Sequence, residues 1–513
     1  MDREQGGSGM SRATSLTRRS LLTLVLAALL GLNCFAQQVE PKTPPPPPPG
    51  VQQQQKENAT APERKITDAE AQELFKSFDE ILAFASRDTG LPIKSPVKHK
   101  IVSRDEVEKY MLERMKDDPD AARLEHSEIS LKKFGLIPKD MNLRTFMIAL
   151  LKEQIAGFYD SKTKVMYILD WVTPEAQKPV LAHELTHALQ DQNYDLEKWG
   201  QVNEDKLSDR DEMVRDEARA ARQAVAEGQA TLVLVDYLLA PYGKTVVSAP
   251  EVVDMLKKQM VSGGSTPLFA KAPEFLRLSL MFPYDAGFDF ERAVLMAGGK
   301  LQGYVGTLGH PPVDTRQILE PKTYLDQQHF EIPLLADLES IVGKKYEKFD
   351  DGGLGEFDVQ ILIQQWMPPS PVALGPKSDV ASAAAASVAS AEADSHLPLI
   401  HAWRGGYYMS FREKQKKDAP VCVAFVMHLA TAKDAKDFET VYRAGLKERY
   451  KSVTMKSPGT FQTEDGPVVL SSDGEWFTAT EGFESALSEK LRSAMLEAGR
   501  KGSASSAKAA TVN

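Results

Sequence analysis

Cysteine is almost missing from this chain: among 513 residues only Cys34 and Cys422 occur. Positive charge is in deficit, with 62 Lys and Arg against 72 Asp and Glu. Such a balance argues against nucleic acid and against an anionic membrane surface as partners. The most apolar run, LLTLVLAALLGL (Leu21–Leu32), falls short of the about 20 residues that cross a bilayer. No internal repeat is visible.

The short run has a basic approach, Arg12, Arg18 and Arg19, and a small residue after it, Ala36. That pattern predicts a secretory signal peptide over residues 1–36, with an uncleaved membrane anchor as the alternative. Asn33 is a poor neighbour for a lipidated Cys34. Cleavage removes four basic and two acidic residues, leaving 58 against 70 and a net charge of −12. It also leaves Cys422 alone in VCVAFVM, where it reads as a small buried hydrophobe and no intrachain disulfide can form. The expected protein is exported, to periplasm or medium, without stable membrane insertion.

Residues 37–66 hold PPPPPPG and QQQQ and read as a tether. Helical spacing is seen over Ile66–Phe84, Ser103–Met115, Leu143–Ile155 and Asp209–Leu239. VKHKIV (Val97–Val102) suits a strand, and GFYDSKTKVMYIL (Gly157–Leu169) reads as a hairpin turning at Asp160–Thr163. Residues 250–345 look mostly helical, and 366–396 are a Pro/Ala/Ser-rich linker. Segments such as GYYMSFR, VCVAFVMHLA, PVVLSS and EWFTATEGF then suggest a small α+β domain over 397–498, with a disordered tail over 499–513. The fold class expected is α+β: a mostly helical domain over 67–365 with a small β-sheet, then the smaller α+β domain.

The chemistry-bearing stretch is LAHELTHALQD (Leu181–Asp191). Residues four apart on a helix are rotated by about 40°, so His183 and His187 project from one face and can share a Zn²⁺. Glu184 lies about 100° round from His183, where a carboxylate can take a proton from an activated water. With nine histidines present, chance supplies HExxH in roughly one such chain in a hundred. Val180, Leu181, Ala182, Leu185, Ala188 and Leu189 make the surrounding helix apolar, which favours a bound metal over the alternative, an amphipathic helix with histidines on its surface or in its core.

A catalytic zinc usually has three protein ligands, and no third histidine follows closely. Glu227 is a lone carboxylate on the stripe Ala220, Ala224, Thr231, Leu234 and Leu238, and Ala226, Gly228 and Ala230 allow close helix approach. An ion pair with an arginine is its other reading; Glu217 is a reserve ligand. Asp191 and Gln190, one turn past His187, are candidate acceptors for a ligand's second nitrogen. Tyr237 sits too far along its helix from Glu227 to stabilise an oxyanion there, and His310 and Tyr304 are candidates without an assigned role.

AHELTHALQ, a glutamate on a later helix and a strand just upstream together resemble the gluzincin metallopeptidases. More narrowly, GFYDSKTKVMYI, HELTHALQDQNYDL, AEGQATL, FPYDAGFDF and PPVDTRQILEPKTY are similar to exported bacterial gluzincin-like proteins of uncertain role. In place of the family's Glu-x-x-x-Asp, Glu227 is followed by Thr231, and Glu320 stands where those proteins have a histidine. The resemblance implies that the strand Lys164–Leu169 lines the cleft and pairs with an extended substrate. The expected function is zinc-dependent hydrolysis of peptide or unfolded protein substrates, with one zinc held by His183, His187 and Glu227 and with Glu184 as general base. A zinc-stabilised peptide-binding or envelope scaffold is the alternative, and a hydrolase of another amide the third.

Overall fold

The computed structural model describes residues 65–510 apart from 117–120, 155–156, 202–207, 264–265, 331, 368–395 and 417–418. The expected signal peptide, nearly all of the tether and most of the linker lie outside the described residues. The fold is α+β, mostly helical, with a small three-stranded sheet and a separate sheet toward the C-terminus.

Helix α1 (Asp68–Thr89) opens with a capping box, in which the Thr67 hydroxyl accepts from Glu70 N–H and Glu70 reaches back. It ends at Gly90, whose φ of 76° suits glycine. Strand β1 (Lys98–Val102) pairs in parallel with β3 (Val165–Leu169), and β2 (Phe158–Asp160) runs antiparallel to β3. The sheet order is β1-β3-β2, so β3 is central. Both edges of β3 are therefore occupied, which corrects the expectation that Lys164–Leu169 would pair with a substrate. Among the described residues the outer edges of the sheet are those of β1 and β2. The turn after β2 is organised by buried Asp160, which accepts from Lys162 N–H at 3.1 Å and from the Thr163 hydroxyl at 2.6 Å.

Below the sheet runs α2 (Pro174–Tyr194), starting with proline in its first turn. Val180, Leu181, Ala182, Leu185, Ala188 and Leu189 are all buried, because α1, the sheet and α3 (Asp209–Leu239) surround the helix. Packed on α3 is α4 (Glu274–Lys300). Gly228 of α3 meets the Gly287 backbone, and Gly287 of α4 meets the Ala224 carbonyl, so closely that neither site has room for a Cβ. After α4 the chain forms a π-helical stretch, Leu301–Gly306.

The second sheet has seven antiparallel strands: β4 (Tyr346–Gly353), β5 (Trp403–Glu413), β6 (Cys422–Leu429), β7 (Val453–Ser457), β8 (Thr460–Thr463), β9 (Gly466–Asp473) and β10 (Trp476–Glu481). Their spatial order is β4-β5-β6-β10-β9-β8-β7. β4 pairs with β5 across the linker, so the sheet begins before the 366–396 boundary read from composition. Between them lies helix α5 (Glu356–Trp366). Helix α6 (Ala432–Arg449) covers one face and α7 (Ser485–Ala510) the other. β6 is apolar at nearly every position because Val423, Phe425 and Met427 face α6 while Cys422, Ala424 and Val426 face α7. Cys422 is free and buried, and burial raises its thiol to about 11. α7 runs past Gly499 to Ala510, where a disordered tail had been expected. Gly499 lies against the Trp476 ring, which anchors the helix at that point. No helix among the described residues is long and apolar enough to cross a membrane.

Candidate metal centre

α2 and α3 bring His183, His187 and Glu227 together. His183 Nε2 lies 3.1 Å from Glu227 Oε2, His187 Nε2 lies 3.2 Å from the same oxygen, and the two Nε2 atoms are 3.1 Å apart. An ion about 2.0–2.1 Å from each of three tetrahedral ligands needs ligand spacings of about 3.3 Å. The triangle fits such an ion with a slight opening, and two imidazole nitrogens with a carboxylate oxygen is a zinc donor set.

His183 and Glu227 are buried, and His187 is partly buried. Burial opposes ionisation of Glu227, yet the charge of His187 and the hydrogen bonds from both histidines outweigh it and hold the carboxyl well below its usual range. Burial likewise works against His187, but Glu227 overrides it and raises the imidazole to about 9. His183 is lowered, burial being foremost. This is an acceptor cluster arranged for positive charge.

Glu184 is fully withdrawn from solvent, and burial raises its carboxyl to about 8. Its Oε2 accepts from Tyr159 N–H of β2 at 2.8 Å, while Oε1 has no hydrogen-bond partner among the described residues. The outer edge of β2 thus faces Glu184.

Of the two candidate acceptors for His187, Gln190 takes the part: its Oε1 lies 2.8 Å from His187 Nδ1. Asp191 instead accepts from the Tyr159 hydroxyl at 2.7 Å, Lys164 Nζ at 2.6 Å and Leu196 N–H at 3.0 Å, tying the hairpin to α2. Reserve candidate Glu217 is engaged elsewhere, accepting from Thr315 N–H at 3.0 Å and its hydroxyl at 2.7 Å. Tyr237 packs edge-on against Phe84, His310 is exposed, and buried Tyr304 lies nearer Asp88 and Asp236.

Sequence reasoning missed Tyr284. Its ring stacks on His183 with centroids 6.0 Å apart, and its hydroxyl is buried. Burial raises this phenol well above its ordinary value, with the charges of Glu227 and Glu184 adding to the effect. Its place in FPYDAGFDF, three residues before Gly287, was the available signal.

Glu320, Glu356 and His401 form a second close group. Arg316 Nε, 3.0 Å from Glu320 and 3.7 Å from Glu356, already supplies its positive charge, and His401 Nδ1 lies 2.9 Å from Glu356. The group is a network joining the helical body to the C-terminal sheet.

Residues 138–226 match the family model of the IrrE N-terminal-like domain, a peptidase M78 model, and residues 345–492 match a domain of unknown function (DUF8575). The first match contains His183, Glu184 and His187 and stops one residue before Glu227; over that segment the chain is similar to a metallopeptidase-like family. The second begins at β4, as the C-terminal sheet does. No curated protein and no solved structure matches the chain.

Proposed function

We propose that the chain is an exported zinc metallopeptidase of gluzincin type, hydrolysing peptide bonds in extended or unfolded polypeptides. His183, His187 and Glu227 are the zinc ligands and Glu184 the general base. The observation that carries this reading is the state of Glu184: a buried carboxylate beside the triad, one oxygen pinned by Tyr159 N–H and the other without a partner among the described residues. A scaffold protein needs the triad but has no use for such a group.

When bound, zinc supplies Lewis acidity to the attacking water and the scissile carbonyl. Glu184 Oε1 accepts the proton of that water and hands it to the departing amine, while Oε2 stays fixed by β2. Tyr284, stacked on His183, supplies a hydroxyl donor for the oxygen that gains charge. With Tyr159 N–H held by Glu184, the remainder of the β2 edge is what offers main-chain pairing to an extended substrate, which favours unfolded polypeptide without demanding a particular sequence. The basic and apolar first 36 residues support export.

The test is to load wild type and Glu184→Gln with zinc to equal content and incubate each with an unfolded protein. Cleavage by wild type alone, abolished by a chelator, supports the assignment. Equal zinc with no cleavage by either overturns the peptidase reading in favour of a zinc-stabilised binding protein.

A further inference from the structure

A chain of buried amides leads away from the triad. His187 Nδ1 meets Gln190 Oε1 at 2.8 Å; Gln190 Nε2 lies 3.1 Å from Ala226 O and 3.0 Å from Gln229 Oε1. Gln229 Nε2 in turn meets Tyr304 O at 3.0 Å, Gly303 O at 3.3 Å and Thr307 Oγ1 at 2.9 Å. Gln190 and Gln229 are both fully buried, so water offers neither an alternative partner.

The direction of this chain is determined from its far end. Backbone carbonyls can only accept, so Gln229 must present its NH₂ to Gly303 and Tyr304 of the π-helical stretch. Its carbonyl oxygen then faces Gln190 and requires an N–H. Gln190 must therefore turn its own NH₂ toward Gln229, an orientation that the Ala226 carbonyl also demands. That leaves only the Gln190 oxygen for His187, whose Nδ1 must carry a proton. Once neutral, an imidazole with its proton at Nδ1 has its metal-binding lone pair at Nε2, the atom that faces Glu227 and His183.

We infer that Gln229 is a positioning residue for the metal centre: it touches no ligand, yet together with the Ala226 carbonyl it holds the Gln190 amide that sets the tautomer and ring orientation of His187. The unusual π geometry at Leu301–Gly306 has a role in this scheme, since it turns two successive carbonyls toward one amide. The inference rests on the reading of His183, His187 and Glu227 as a zinc site.

Gln177 provides the control. It is buried on the same helix as the histidines and makes a comparable set of bonds, accepting from Leu169 N–H at 3.1 Å and donating to Leu169 O at 3.0 Å and Val172 O at 2.7 Å. Zinc affinity is measured for full-length wild type, Gln229→Met and Gln177→Met by competition with a chromophoric chelator, with circular dichroism to verify folding. Both variants lose stability. Gln229→Met is expected to bind zinc about 10-fold more weakly, the lower end of the effect of losing a partner of a ligating histidine because the Ala226 carbonyl still holds Gln190, and Gln177→Met to match wild type. Unchanged affinity in Gln229→Met, or an equal loss in Gln177→Met, overturns the relay. If Gln229→Met does not fold, Gln190→Met is read against the same control with the same expected loss. A wild type that binds no zinc removes the premise of the triad itself, an outcome distinct from failure of the relay.

Discussion

Gly228 of α3 and Gly287 of α4 lie back to back, and a methyl group on Gly228 would collide with the Gly287 carbonyl. Close approach explains why glycine is kept at two helix-interior positions where it costs about 1 kcal/mol relative to alanine. Gly228 follows Glu227 directly, and Gly287 lies one turn after Tyr284, so this contact also sets the spacing of Glu227 and Tyr284. Gly287→Ala should destabilise the protein by about 1–3 kcal/mol, the usual cost of overpacking, instead of giving the gain an open helix would show. It should also weaken zinc binding. Urea unfolding and chelator competition on the variant check both; a stabilised Gly287→Ala would refute the close-packed interface.

Glu481 of β10 and Arg449 of α6 are fully buried and joined at 2.8 Å. Tyr442 and Tyr450 donate to the same carboxylate at 2.7 and 2.5 Å, and Arg449 Nη1 reaches the Lys133 carbonyl of the helical body at 3.2 Å. Burial disfavours the ionised Glu481, but Arg449 and Lys133 outweigh it and keep the carboxyl low. Glu481→Gln strands a buried guanidinium, so a loss of about 3–5 kcal/mol in urea unfolding is expected. A change below about 1 kcal/mol would show that the pair is not held as described.

The triad was legible because its information is local. His183 and His187 are one helical turn apart, and Glu227 is conspicuous as a carboxylate on an apolar stripe. Features set by distant pairing were not legible. That β3 is central depends on β1, whose Lys98 pairs with Val165 far along the chain. β4 likewise meets β5 only across the linker, so composition placed the boundary after the strand it should have preceded. Tyr284 depends on the docking of α4 against α3, which no periodicity within FPYDAGFDF encodes. Export belongs to residues outside the described ones and stays a reading of the sequence.

His401 supplies a pH dependence. Its hydrogen bonds to Glu320 and Glu356 raise it from 6.5 to about 9, with Arg316 and Arg404 the neighbouring cations. A raised histidine contributes its full stabilisation below pH 6.5 and loses it as pH climbs through about 9. Burial raises Glu356 to about 7, so its neutral form is favoured in the fold and stability again falls with rising pH, here from 4.5 upward. Since His401 is 36% exposed, solvent screening leaves its share at about 1 kcal/mol. Thermal melts of wild type and His401→Gln should differ most near pH 6 and converge by about pH 10. A gap that widens with pH would reverse the assigned sign.

Tyr284 and Glu184 should separate when each loses only its chemistry. Neither is a proposed ligand, so Tyr284→Phe and Glu184→Gln should both retain zinc at wild-type stoichiometry. Glu184→Gln removes proton transfer itself, worth about 10²- to 10⁴-fold, and should lower kcat by that range with KM little changed. Tyr284→Phe keeps the ring stacked on His183 and removes a single donor. If that donor acts only as charge develops on the carbonyl oxygen, kcat falls by up to about 10²- to 10³-fold while KM holds. A rise in KM at constant kcat would instead make Tyr284 a contact to the bound substrate. Loss of zinc in Tyr284→Phe would give it a third role, holding Glu227 in place. Steady-state kinetics on an unfolded protein, with zinc measured on the same preparations, distinguishes the three.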